Sequence, residues 1–274
     1  MQVGPRSLSL AIPLLAALGC ATSVHADNYE LIVGGSDYAT YTVKLAGFNG
    51  GNSFSGGAGN FGGSKLVDLS TSTTSPLSVM YCIDLTHNVV LGGQYTPTFV
   101  SNNGYVNDLD PSSVPNPAPI FALTNGAGVL TNAGQMEYLM DHFSTAVVAT
   151  GNSAEIMGLQ LALWKLEYGN AFSVVSVNHG GDITASAVAW ENAFLNGDTS
   201  KGISVADSSS SHASYTSTDV LFLSPETLGN NPPGTTVWNQ AQIALRTPVP
   251  GTLSLASILL GMVGIGRAWR RQSA

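Results

Sequence analysis

Two spells of apolar–polar alternation bracket a stretch of helical periodicity, and this order limits the fold more than any other feature of the chain. "YELIVGG" (residues 29–35), "YATYTVKLAGF" (38–48) and "SPLSVMYCIDLTHNV" (75–89) alternate with the period of two that buries one face of a strand. Between residues 132 and 169 the period changes. Met136, Leu139, Met140 and Phe143 fall at helical spacing in "NAGQMEYLMDHFSTAV", and Ile156, Leu159, Leu163 and Leu166 form one stripe in "NSAEIMGLQLALWKLEYG". Asn152 or Ser153 caps that second helix and Gly169 stops it. A third helix is expected over residues 184–197. Alternation returns in "SYTSTDVLFLSP" and "TTVWNQAQIALRTP", joined by a turn at "NPPG". Strands, helices, then strands predict an α+β fold: a β-barrel or sandwich with an inserted helical segment at about residues 132–197. The glycine-rich "NGGNSFSGGAGNFGG" (49–63) lacks the lysine of a phosphate-cradling loop and reads as a flexible connection. "SSSSHASYTST" reads as a solvated loop or edge.

Both ends carry export features. Arg6, the apolar residues 8–19 and a small-x-small site ending at Ala26 describe a signal peptide over residues 1–26. Cleavage there removes Cys20; the competing reading makes Cys20 a lipidated cysteine, with Ala17 three positions before it. The domain then spans 27–247, followed by a C-terminal segment, 248–274. That segment runs from Pro-Val-Pro-Gly through the apolar residues 253–266 to Arg267, Arg270 and Arg271. Its apolar part is short for a spanning helix but membrane-directed, with the arginines expected on the cytoplasmic side. Between the export segments, five basic residues face seventeen acidic ones, a net charge of −12. Such a surface excludes nucleic acid and anionic polysaccharide as partners held by charge.

With Cys20 removed, Cys82 is the only cysteine, set in a strand of an exported chain. An extracellular thiol is buried, paired between chains, or used. A cysteine hydrolase would need a histidine, and His87, His142 and His179 are available, His179 within "VNHGGD". A strand interior lacks the helix dipole that usually activates such a cysteine. No His or Cys pair has metal-ligand spacing, and no cofactor is implied. A different partner is Gln160, an amide within the apolar "GLQLALW" (158–164), where a polar group must be satisfied or used.

"YCID" (81–84) followed by "LQLALW" (159–164) resembles the signature motifs of bacterial thioester domains, surface modules in which a cysteine and a glutamine join as an internal thioester. The resemblance covers roughly residues 30–247; Leu159 stands where the Gram-positive form often has threonine. It implies that Cys82 and Gln160 are the thioester partners. A ligand amine, on another surface or in an extracellular matrix, would then open the bond in a single covalent attachment rather than enzymatic turnover. Tyr81 and Trp164 would shield the bond, while Asp84 and His87 would handle protons. Asp84 lies two residues from Cys82 and shares its face. The C-terminal segment is similar to a PEP-CTERM sorting signal, with Val249 in place of the usual glutamate; this implies processing by an exosortase-type enzyme and transient anchoring at the inner membrane. The expected product is an envelope, outer-surface or matrix protein acting in adhesion within an exopolysaccharide biofilm. The alternatives are a non-reactive structural matrix protein of the same fold and, third, a cysteine hydrolase.

Overall fold

The computed structural model describes residues 26–35, 37–46, 53–85, 89–106, 129–230, 233–238 and 240–247. The expected signal peptide, apart from Ala26, the C-terminal sorting segment, Cys20 and His87 lie outside these residues.

Six antiparallel strands close into a barrel. They are β1 (Ala26–Ile32), β4 (Lys65–Asp68), β5 (Thr73–Cys82), β6 (Gln94–Ser101), β8 (Val220–Asn230) and β10 (Gln242–Arg246). Their order is β10-β5-β4-β1-β6-β8, and pairing of β10 with β8 seals the seam. The far half of β8 leaves the barrel and pairs with β9 (Pro233–Trp238) in a hairpin. A second sheet orders β3 (Ser53–Asn60), β2 (Asp37–Leu45) and β7 (Phe172–Asn178). The helices are α1 (Ala133–Leu139), continued through a π-turn at Met140–Ser144 into α2 (Thr145–Thr150), then α3 (Ser153–Tyr168) and α4 (Thr184–Asn196). The architecture is the α+β barrel that the change of period predicts.

Two expectations change. Residues 53–60 of the glycine-rich segment are a strand: β3 pairs with β2 from Asp37–Asn60 to Lys44–Ser53. Main-chain pairing needs no side chain, and a residue larger than glycine at 56 would press on the Tyr41 ring, 3.3 Å from the position of its Cβ. The helical insertion contains β7, which adds to β2 and so fastens the insertion to the rest of the domain. The serine-rich segment is largely an exposed loop, as its composition predicts, and is anchored at two points. Ser208 and Ser209 are buried, and the His212 ring stacks on Tyr138 at 3.5 Å.

Alternation gives the barrel two buried faces along its β8-β10-β5 seam. Leu31, Leu66, Met80, Cys82, Val100, Leu221, Leu223 and Ala244 come from all six barrel strands and form the interior. Val79, Tyr81, Ile83, Phe222, Ile243 and Leu245 point the other way, into a core shared with Met136, Leu139 and Leu163. Helix α3 is apolar on nearly every side and correspondingly buried, with Trp164 packed on Tyr41 of the second sheet at 4.8 Å. Asn152 caps it, its Oδ1 accepting the amides of Ala154 at 3.0 Å and Glu155 at 3.4 Å.

The barrel opens along one line. Strand β4 pairs with β5 only as far as Pro76. Beyond that point the free edge of β5 takes other partners. The Leu77 amide donates to the Ser64 carbonyl at 3.0 Å, the Met80 amide to Asn60 Oδ1 at 3.2 Å, and the Phe61 amide to the Met80 carbonyl at 2.9 Å. Cys82 is the next residue on that edge.

Candidate functional site

Cys82 ends β5 and is fully buried. Its main chain meets Gln160, whose side-chain amide stands in for the missing strand. The Cys82 amide donates to Gln160 Oε1 at 3.2 Å, and Gln160 Nε2 donates to the Cys82 carbonyl at 2.6 Å. Both amide ends of Gln160 are therefore committed to the backbone. The structure brings together the two residues that the motifs single out, but it joins Gln160 to the Cys82 peptide rather than to its sulfur.

The sulfur faces β10. Cys82 and Gln242 are Cα partners across the β5–β10 ladder. The Ile83 amide donates to the Ala241 carbonyl at 3.0 Å, so the adjoining Cys82–Gln242 pair is of the non-hydrogen-bonded kind. Side chains of such pairs stand closest, on the same face of the sheet. Gln242 is fully buried, its Nε2 donates to the Gln240 carbonyl at 3.0 Å, and its Oε1 has no partner among the described residues. Gln240 reaches in from the break before β10. Cys82 Sγ donates to Gln240 Oε1 at 2.9 Å, and Gln240 Nε2 donates to the Asp84 main-chain carbonyl at 2.6 Å.

Burial pushes the Cys82 thiol well above its ordinary range; a hydrogen bond from the Gln242 side chain opposes this, and the charge of Asp84 adds to it. At neutral pH the sulfur is a thiol. This differs from a hydrolase nucleophile, which is held as thiolate by a cationic partner or a helix N-terminus. His179 sits in the turn after β7, where its amide donates to the Gly181 carbonyl at 2.9 Å, and the hydrogen bond of Cys82 Sγ goes to Gln240 rather than to a histidine.

The supporting residues divide. Asp84 is buried beside Cys82; burial raises the pKa of both Tyr41 and Tyr168, and Asp84 adds to it. Trp164, one helical turn beyond Gln160, is wedged between Tyr41 and Phe172 and helps seal the site. Tyr81 does not cover the sulfur. It neighbours Cys82 on a strand, so its ring enters the opposite core.

Gln240 and Gln242 were not singled out by sequence reading. "TTVWNQAQIALRTP" shows β-signals throughout, whereas β10 begins only at Gln242 and leaves Gln240 ahead of the strand, where its side chain meets the sulfur. The two glutamines at i and i+2, flanked by apolar residues, are the signal that was present. Among the described residues, no group of three or more His, Cys, Asp or Glu could hold a metal, and no helix is long and apolar enough to cross a membrane. No family model matches the chain, nor does any curated protein or solved structure.

Chemically, the site is a thiol among three primary amides, sealed from water. Proximity in a dry pocket is what a thiol and an unstrained amide need before they react.

Proposed function

We propose that the chain is an exported surface or matrix protein whose Cys82 forms an internal thioester, with Gln242 as acyl donor, and that the thioester attaches the protein covalently to an amine on its target. The face-to-face placement of Cys82 and Gln242 across the β5–β10 seam carries this reading. Gln160 and Gln240 have both amide ends held, which suits them to positioning: Gln160 fixes the Cys82 peptide and Gln240 orients the S–H.

The step balances without a further reagent. The sulfur bonds to Cδ of Gln242, the C–N bond breaks, and the thiol proton leaves with the nitrogen as ammonia. Trp164 and the apolar interior keep water from the product. A primary amine then attacks the same carbon, an amide bond forms, and Cys82 regains its proton. Each molecule reacts once. Residues 1–26 act as the export signal, and residues 248–274 bring the product to an exosortase-type enzyme at the membrane.

Intact mass spectrometry of the exported chain tests this. The expected mass is lower than that of the sequence by one ammonia, and methylamine restores a methylamide at Gln242. A methylamide on Gln240 or Gln160 would reassign the donor. A mass equal to the unreacted sequence, with Cys82 alkylated on unfolding, would remove the thioester and leave a structural matrix protein.

A further inference from the structure

A groove of about 330 Å³ lies away from the chemistry of Cys82, where residues just after β6, the start of α1 and residues 213–218 converge. Its walls are fixed by close backbone contact. A Cβ at Gly134 would lie 2.5 Å from the Ala213 carbonyl oxygen and 2.8 Å from that of Tyr215, so only glycine lets α1 approach this segment. Glu137, three residues along the same helix, lines the groove, yet is only 2% exposed. Its Oε2 accepts the Ser217 amide at 2.7 Å. A second carboxylate stands close by: Tyr215, another lining residue, donates its hydroxyl to Asp141 Oδ2.

A carboxylate withdrawn from water is costly without a cation beside it. Among the described residues lining this groove there is no lysine or arginine. We propose that the groove binds a primary alkylammonium group, with Glu137 as its counter-ion. An ammonium carries three donors and no acceptor. The groove offers the Glu137 carboxylate and serine and threonine oxygens. Ala133 and Ala213 supply apolar wall for a methylene stem. A neutral sugar would gain nothing from the buried charge.

The groove also makes binding respond to pH. The groups around Glu137 are Asp141, Tyr138 and His142 on its own helical run, with His212, Tyr215 and Ser217 on the facing segment. Burial, with the charge of Asp141 adding to it, pushes Glu137 up to about 7. Below that pH the counter-ion is protonated. An ammonium favours the ionised form, so binding near neutrality releases a proton.

The test is calorimetric titration of the full-length chain carrying Cys82→Ser, which removes covalent capture, with N-acetyl-lysinamide as probe. Affinity should rise by up to about tenfold between pH 6 and pH 8, following ionisation of one carboxyl near neutrality. At pH 7 the heat should vary with the buffer's ionisation enthalpy. N-acetyl-norleucinamide and methyl glucoside should not bind. Glu137→Gln should abolish binding, and Asp141→Asn, which keeps Glu137, should retain it. No binding by the folded chain at pH 8, equal affinity at both pH values, or equal binding of a neutral probe would each overturn the proposal. If Glu137→Gln fails to fold, the neutral probes and the buffer dependence still decide.

Discussion

Cys82 and Glu137 are both buried titratable groups, yet the protein treats them in opposite ways. Cys82 is enclosed by neutral amides, each bonded to main chain or to the sulfur, and its proton stays in place. Glu137 has one main-chain donor and a second carboxylate nearby, in a groove that opens to solvent. In the first region the proposed reactivity would come from excluding water and fixing distance. In the second, a carboxylate that burial keeps partly protonated near neutrality lines an open groove. Acyl exchange between a thiol and an amide tolerates a dry pocket, because it creates no lasting charge. Reversible recognition of a cation requires the charge to persist.

The sharpest way to break the comparison is at the sulfur. Cys82→Ala should abolish both the loss of ammonia and the uptake of methylamine, read by intact mass, while the fold remains. Next in size is Gln160→Ala. It strands the buried N–H and C=O of Cys82, at a cost of about 2–6 kcal/mol in urea unfolding, since each orphaned buried group costs about 1–3 kcal/mol. The folded fraction should still take up methylamine at Gln242; loss of uptake with stability intact would return the donor role to Gln160.

The groove gives a smaller, pH-dependent effect. Glu137 has a folded pKa of about 7 against an ordinary 4.5. Between those values the folded state binds more protons than the unfolded state, so stability falls as pH rises through this window and is level above it. The fall should be roughly 1–2 kcal/mol once contact with solvent in the groove is allowed for, and Glu137→Gln should flatten it. Unfolding midpoints measured from pH 4 to 8 would show the slope. Smallest is the helix that carries Gln160: Asn152→Ala removes its cap and should cost about 1 kcal/mol in the same unfolding assay, with no change in amine uptake.

Periodicity made much of this fold legible. Residues 153–168 could be placed as a helix because Asn152 and Gly169 mark its ends and the apolar stripe lies between them. Closure of the barrel could not be read, because pairing of β10 with both β5 and β8 depends on contacts far apart in sequence. β3 was obscured because its glycines carry no side-chain pattern, although their main chain pairs fully with β2. The motifs brought Cys82 and Gln160 to notice, but which atoms of the two meet is decided by a local event: β4 stops at Pro76 and leaves a strand edge for an amide to occupy. The partner facing the sulfur depends on strand register, which a single sequence leaves open.

The seam position of Gln242 has a mechanical consequence. An amine captured there, as proposed, would be joined to β10, with only Ile243–Arg246 between that residue and the segment that follows the strand. Tension between the target and a tethered C-terminus would pass along those few residues and bypass the other five barrel strands, the second sheet and the helices. The rest of the domain could then unfold under pulling while the attachment stayed whole.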